Sequence, residues 1–341
     1  MRKRSAYDHW SEAAPPLLAL VYPYVLKGFH ACMASGAHWA AAVLLALAFA
    51  APLSGLLATL YLGGVAAPDR SQVSARLIAL LAIAAPPMYT AAGVLLYIAS
   101  DPVADTSVWL LLWGALLIWS FFARRSASLP QQPAKLPAAL RIAHGSSALA
   151  ILLLFLGMHL SNHLAGLFSE AAHRHLMDLF RTIYRAHVVE PMIVLLFLFQ
   201  VVSGLIMLRA YASRAADFYR SLQLASGAYL VFFILGHMNS VFIYARRVAR
   251  IKTDWDFATG APAGMLHDAW NIRLLPHYYL GVAFVLIHLI MGARVVALSH
   301  GMRRATADSF SKAGIAGSAL IALLILMGMC GVHLGAGDGV I

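Results

Sequence analysis

Charge is scarce in this chain. Of its 341 residues 14 are acidic and 25 basic, so that 11% are charged against 61% hydrophobic. That balance excludes a soluble globular class and implies a polytopic helical membrane protein. Cysteine is scarcer still: Cys32 and Cys330 lie far apart without metal-ligand spacing, which excludes a disulfide framework and an iron–sulfur site. No flavin or nicotinamide motif is present, so any oxidation of a soluble substrate must take place on a partner. The basic start MRKRSAYDHW is not followed by a compact apolar region with a small-residue cleavage site, so a cleaved signal peptide is not expected. Acids within the apolar runs are almost lacking, with Glu190 near one end, which argues against a haem-free transporter that moves protons.

The net charge of +11 does not indicate nucleic acid, because the Arg and Lys residues sit in short connections between apolar runs. There they act as topology determinants facing anionic lipid. Residues 16–33, broken by Pro16 and Pro23 and carrying Lys27 and His30, suggest an interfacial or re-entrant helix rather than a full span. Spans are expected at about 38–62, 76–99 and 107–122, the second kinked at Pro86 and Pro87. The Pro-, Ser- and Gln-containing basic stretch at 123–140 reads as a linker. Five spans follow at about 141–166, 187–210, 219–245, 274–299 and 313–335.

The expected fold is therefore an all-α polytopic membrane bundle of about eight transmembrane helices, nine if residues 16–33 cross. It divides into an N-terminal segment 1–37, a three-helix membrane segment 38–122, the linker, and a five-helix module 141–341. Placing the start of the Arg141 helix in the cytoplasm puts Arg124, Arg125, Lys135, Arg209, Arg214, Arg220, Arg303, Arg304 and Lys312 inside. Arg246, Arg247, Arg250 and Lys252 oppose that choice.

Histidine is plentiful where it is costly. The span RIAHGSSALAILLLFLGMHLSNH, from Arg141 to His163, holds three histidines, and an imidazole in lipid needs a partner. RSLQLASGAYLVFFILGHMNSVF, from Arg220, nearly repeats it: Leu-Gly-His at 235–237 answers Leu-Gly-Met-His at 156–159. His159 follows Arg141 by 18 residues and His237 follows Arg220 by 17, so parallel helices carry the two imidazoles at nearly equal depth. Two imidazoles so placed suit bis-histidine ligation of haem iron. His163, one turn on, is the alternative ligand or a propionate partner. His288 lies near mid-membrane, where depth alone pairs it with Gln200, which is not an expected ligand; this supports one haem b better than two.

Near the other end, Ser146, Ser147, Ser203, Gly204, Ser226 and Gly227 serve close helix packing or leave room for a flat macrocycle or a quinone headgroup. In the second case His144, Gln223 and Arg141 are the hydrogen-bonding groups. His173, His175, His267 and His300 fall in connections and are expected to be solvated.

The five-span layout, the R-x-x-H-x-x-S start at 141–147 and histidines on successive helices make residues 139–336 resemble the membrane-anchor cytochrome b subunits of succinate dehydrogenase and fumarate reductase. That resemblance implies ligation of one haem through the first and third helices, matched by His159 and His237, and of a second through the second and fourth, where His288 has no histidine partner. It further implies electron exchange between quinone and a flavoprotein and iron–sulfur partner, in a bacterial inner membrane. Related haem modules anchor sensory proteins, so a haem-based redox or gas sensor with a signalling partner is the competing expectation. Membrane lipid is the common partner of both readings, and an oligomer is compatible with either.

Overall fold

A computed structural model describes residues 10–100, 103–123 and 135–334. Most of the expected linker, residues 124–134, lies outside the described residues, as do Arg124, Arg125 and the chain ends. The protein is an all-α bundle with no strand among the described residues. Its helices are α1 (Trp10–Ala34), α2 (His38–Ala48), α3 (Ala50–Gly63), α4 (Arg70–Ile83), α5 (Ala85–Ile98), α6 (Asp105–Ala123), α7 (Ala138–Ile151) and α8 (Gly157–Ala165). They continue as α9 (Glu170–Tyr184), α10 (Val189–Ala212), α11 (Phe218–Met238), α12 (Trp255–Thr259), α13 (Gly264–His267), α14 (Leu274–Ser299) and α15 (Arg304–Met329). Two π-helical segments, Leu152–Leu156 and Asn239–Ala249, join α7 to α8 and extend α11.

Seven helical stretches among the described residues are long and apolar enough to cross a membrane, and an eighth arises if the bent pair α4 and α5 is one span. The chain is thus an integral membrane protein. The pair bends by 65° at Ala84, just before Pro86 and Pro87, where the prolines withhold two amide donors from the ladder. Helix α6 is the shorter apolar helix, with residues 105–120 meeting the composition of a span but not its length.

Residues 10–34 form one unbroken helix long enough to span, despite Pro15, Pro16 and Pro23. Packing explains why it does not break. All three prolines are buried, and the helix lies among α2, α3, α4 and α6. Pro23 cannot donate to the carbonyl four residues earlier, which is that of Ala19. The indole Nε1 of Trp109 on α6 donates to that carbonyl at 2.7 Å, replacing the missing amide. Trp109 is 1% exposed and packs edge-on against Tyr89, with Tyr22 and Trp113 beside it. Trp109→Phe keeps the ring but orphans the Ala19 carbonyl, so a loss of about 1–3 kcal/mol is expected. A lowered midpoint of thermal unfolding in detergent, measured against the wild type, checks it.

The leading helices are not an appendage. They dock on the later ones, with α3, α4 and α5 packed against α11, and α5 also against α14. Arg76 on α4, 2% exposed, donates to the carbonyls of Ala212 and Arg214 at the end of α10, where the last carbonyls have no helical donor. Leu80 and Ile83 of α4 share a buried cluster with Ala225, Tyr229, Phe284 and Ile287. In contrast α7 packs chiefly on α10, and the span from α7 to α8 is the least buried of the seven. A slot lined by residues of α8, α9, α10, α11 and α14 opens near one end of the bundle, and His159, His163, His173 and His237 lie along it.

Candidate functional site

Each wall of the slot presents histidines from a helix with a π turn. His159 follows the Leu152–Leu156 segment by three residues, and His237 precedes the Asn239–Ala249 segment by two. A π turn adds a residue to the helical circuit and re-aims the side chains around it, a device common at functional sites. The imidazoles of His159 and His237 face each other with ring centres 6.0 Å apart and planes at 66°. Each is stacked on a phenylalanine four residues earlier: Phe155 lies 4.8 Å from His159 at 20°, and Phe233 lies 5.7 Å from His237 at 14°. Sequence reading passed over these two rings, although the spacing Phe-x-x-x-His is the same in both spans. Gly281 of α14 makes room for Phe233, since a Cβ there would collide with its ring.

Between the two histidines lies a cavity of about 220 Å³. Its middle is apolar, with Leu156, Val194, Phe197, Ile234 and Val285 in its walls, and at one end it reaches Arg181, Arg185 and Arg246. Arg181 and Arg185 both donate to Thr253, to its carbonyl and its hydroxyl, while their Nε atoms have no partner. Arg246 pairs with Glu190 at 2.8 Å. The connection after Arg250 is held over this end by Arg174, which bridges Glu170, Asp254 and Asp256.

His163 lies 4.7 Å from His159 and 5.2 Å from His173, and its Nδ1 has no partner. The expectation that His173 is solvated is corrected: it is 1% exposed, lines the cavity, and neither ring nitrogen is hydrogen-bonded. The reason is α9, an amphipathic helix N-capped by Ser169, whose inward face carries His173, Met177 and Tyr184 while Arg174 faces the acids outside. The spacing of those three inward residues is the signal that would have found it. Burial, reinforced by the Arg181 and Arg174 guanidiniums, lowers the His173 imidazole to about 4, so it is neutral at pH 7. His175, His267 and His300 are exposed, as expected. His277 is buried against Phe233 at 4.8 Å, and His333 Nδ1 lies 3.0 Å from the Gly166 carbonyl.

The remaining expected site residues do not line this cavity. His288 on α14 does not meet Gln200. It faces His144 of α7, with ring centres 6.3 Å apart and planes at 74°. Gln200 instead donates to the His144 carbonyl at 2.7 Å and to the Ser147 hydroxyl at 2.6 Å, which ties α10 to α7. His144 Nδ1 lies 2.7 Å from Ser203 Oγ, and His288 Nδ1 lies 3.0 Å from Ser226 Oγ. Gln223 accepts from Arg220 at 2.7 Å, and Arg141 is exposed, so neither side chain is brought between the two rings.

Whether these residues suit haem is a question of spacing and polarity. A metal–imidazole bond of about 2 Å on each side, plus roughly 1 Å from each ring atom to its ring centre, sets the two ring centres about 6 Å apart. The planes of two axial imidazoles can take any mutual rotation about the axis through the metal. The observed 6.0 Å, the apolar walls and the arginines at one end fit a flat apolar group with an acidic edge. Among the described residues no group of three or more His, Cys, Asp or Glu converges as a metal site. Comparison of the chain with protein-family models, with curated proteins and with solved structures gave no match.

Proposed function

We propose that this protein is an integral-membrane b-type cytochrome that passes electrons between a quinone pool and a partner protein. The observation that carries the reading is the His159–His237 pair, facing at 6.0 Å across an apolar cavity with three arginines at its edge. Haem bound there supplies a one-electron couple. His159 and His237 would hold its iron, with Phe155 and Phe233 fixing the orientations of their rings and the apolar walls excluding water. Arg181, Arg185 and Arg246, which line the cavity, would pair with its acidic groups through charge-assisted hydrogen bonds, for which the Nε atoms of the first two, buried without a partner, are suited. The chain carries no flavin motif and no cysteine cluster, so a flavoprotein and iron–sulfur partner of the succinate dehydrogenase or fumarate reductase type, in a bacterial inner membrane, is the natural donor or acceptor.

A second reading, a haem-based redox or gas sensor, draws on His163. Its ring 4.7 Å from His159 offers an alternative imidazole beside the first. One experiment separates them. Purified protein is titrated with a quinol and, in parallel, exposed to carbon monoxide after reduction. The electron-transfer reading expects full reduction by quinol and no change on adding carbon monoxide. A carbon monoxide adduct without reduction by quinol favours the sensor. Absence of haem after expression with adequate supply overturns both.

A further inference from the structure

We infer that residues 251–259, the strap between Arg250 and Gly260, form a gate on the aqueous side of the His159–His237 cavity, latched by Arg174 and opened to admit or release the group that fills it. The inference rests on the cytochrome reading only for the nature of that group, flat and apolar with an acidic edge. The gate itself depends on the chain alone.

The walls of the cavity are not equally free to move. His159, Phe197, His237 and Val285 belong to membrane spans, whereas Thr253, Asp254, Phe257 and Ala258 belong to the strap. Helix α9, which contributes His173, Met177 and Arg181, is tied at both ends by short connections to α8 and α10. The strap holds a single short helix, α12, and that helix packs chiefly on α9. Its two ends are turns in the left-handed region, Arg250 at φ 55° and Gly260 at φ 72°. Past the second turn the Asn271 amide donates to the Gly260 and Gly264 carbonyls at 3.0 Å, so the chain beyond the strap is fixed.

Three sets of contacts of different kinds hold the strap shut. Outermost, Arg174 pairs with Glu170 at 2.6 Å, Asp256 at 3.1 Å and Asp254 at 3.5 Å. The Arg174 and Asp256 side chains are 36% and 57% exposed, so this latch is weak and screened by salt. Next, the buried Trp255 seats against His173 with ring centres 4.7 Å apart, over Gly166, where an added Cβ would collide with the indole. Innermost, Arg181 and Arg185 donate through Nη2 to Thr253, while their buried Nε atoms have no partner. A guanidinium carries its five donors in one rigid fork. An acidic group arriving at Nε therefore orients the same plane that grips Thr253. Occupancy and closure are thereby coupled: the filled cavity holds the strap down, and the empty one lets it lift.

The test is the rate at which a water-soluble maleimide reaches Met177→Cys, on the inward face of α9, in the full-length protein with Cys32→Ser and Cys330→Ser. It is measured with no further change, with Arg174→Gln, which loses the latch, and with Gly166→Ala, which unseats Trp255. Labelling is expected to be roughly tenfold faster in both variants. With the latch intact it rises between about 0.05 M and about 1 M salt, whereas Arg174→Gln does not respond. Amide exchange in residues 251–259 rises in step, and unchanged slow exchange in α10 and α14 reports that the variants are folded. Should Gly166→Ala lose that protection, Arg174→Gln and the salt response decide alone. Equal labelling rates without a salt response overturn the gate and leave entry from lipid between the spans. Bound haemin is expected to slow exchange in the strap several-fold, and bound haemin without that slowing removes the coupling. If haemin does not bind while the variants still label faster, the gate stands and the cytochrome reading falls.

Discussion

Under the proposed haem ligation, replacing His237 by alanine is expected to empty the site between α8 and α11, lowering its haem content at least tenfold, while His163→Ala leaves it filled. The contrast follows from geometry. His237 is the ring facing His159 at 6.0 Å, and it is held by Phe233 at 5.7 Å in a nearly parallel stack. His277, whose ring packs 4.8 Å from Phe233 with its Nδ1 buried and unpartnered, does not line the cavity. His163 sits on the same helix as His159, toward His173. Removing it costs a polar contact at the cavity wall but no axial nitrogen. Pyridine haemochrome quantitation together with the reduced-minus-oxidised spectrum checks both variants. A low-spin His237→Ala protein with undiminished haem at this site would show that the ligand assignment is mistaken.

The second large effect is expected at Arg273. Its Nη1 pairs with Asp105 at 2.8 Å, its Nε donates to the Trp270 carbonyl, and its guanidinium lies 4.5 Å from the centre of the Tyr89 ring. Tyr89 in turn donates to the other oxygen of Asp105 at 3.1 Å. Gly93 leaves the room for this approach, since a Cβ there would come within 2.6 Å of Nη1. The arginine side chain is 8% exposed and joins the start of α14 to α5 and α6. Arg273→Leu fills similar volume but strands a partly buried carboxylate. Breaking such a pair from one side costs about 3 kcal/mol or more, because the remaining charge stays desolvated. The double variant Arg273→Leu with Asp105→Asn is expected to recover much of that loss, since neither charge is then left alone. Thermal unfolding of the four proteins in detergent gives the coupling directly, and equal midpoints for all four would remove the pair from any structural role.

How much of this could be read from the residues alone depends on which physical cue each feature left. Span existence was legible because twenty apolar residues in sequence have few alternatives. The kink at Pro86 and Pro87 was legible for a local reason, the missing amide donors. The His159–His237 pairing came from equal depth and repeated local sequence, and the two rings do face each other. Depth failed for His288, because it says nothing about which helices are neighbours across a slot; Gln200 at matching depth is occupied with the α7 backbone. The continuity of residues 10–34 was illegible for a similar reason. The group that compensates for Pro23 is an indole from Trp109, 86 residues along the chain, and no local pattern announces it. His173 was missed because a polar residue in a connection resembles a solvated one until the amphipathic face of α9 is recognised.

The placement of the histidines along α7 and α8 also bears on membrane voltage. His144 and His159 are 159 − 144 = 15 residues apart on one continuous span, which at 1.5 Å per residue separates their levels by about 20 Å. On the facing wall His277, which shares Phe233 with His237, precedes His288 by 288 − 277 = 11 residues, a rise of about 16 Å. Either figure exceeds half of a hydrocarbon core of about 30 Å. A unit charge moved from one level to the other would therefore traverse more than half of the transmembrane field. A full crossing is worth about 2.3 kcal/mol per 100 mV, so this partial one is worth roughly 1.2–1.5 kcal/mol, near a tenfold change in how a charge would be distributed between the two levels. Membrane voltage would therefore bias any charge that moves between these two levels, with no conformational change required.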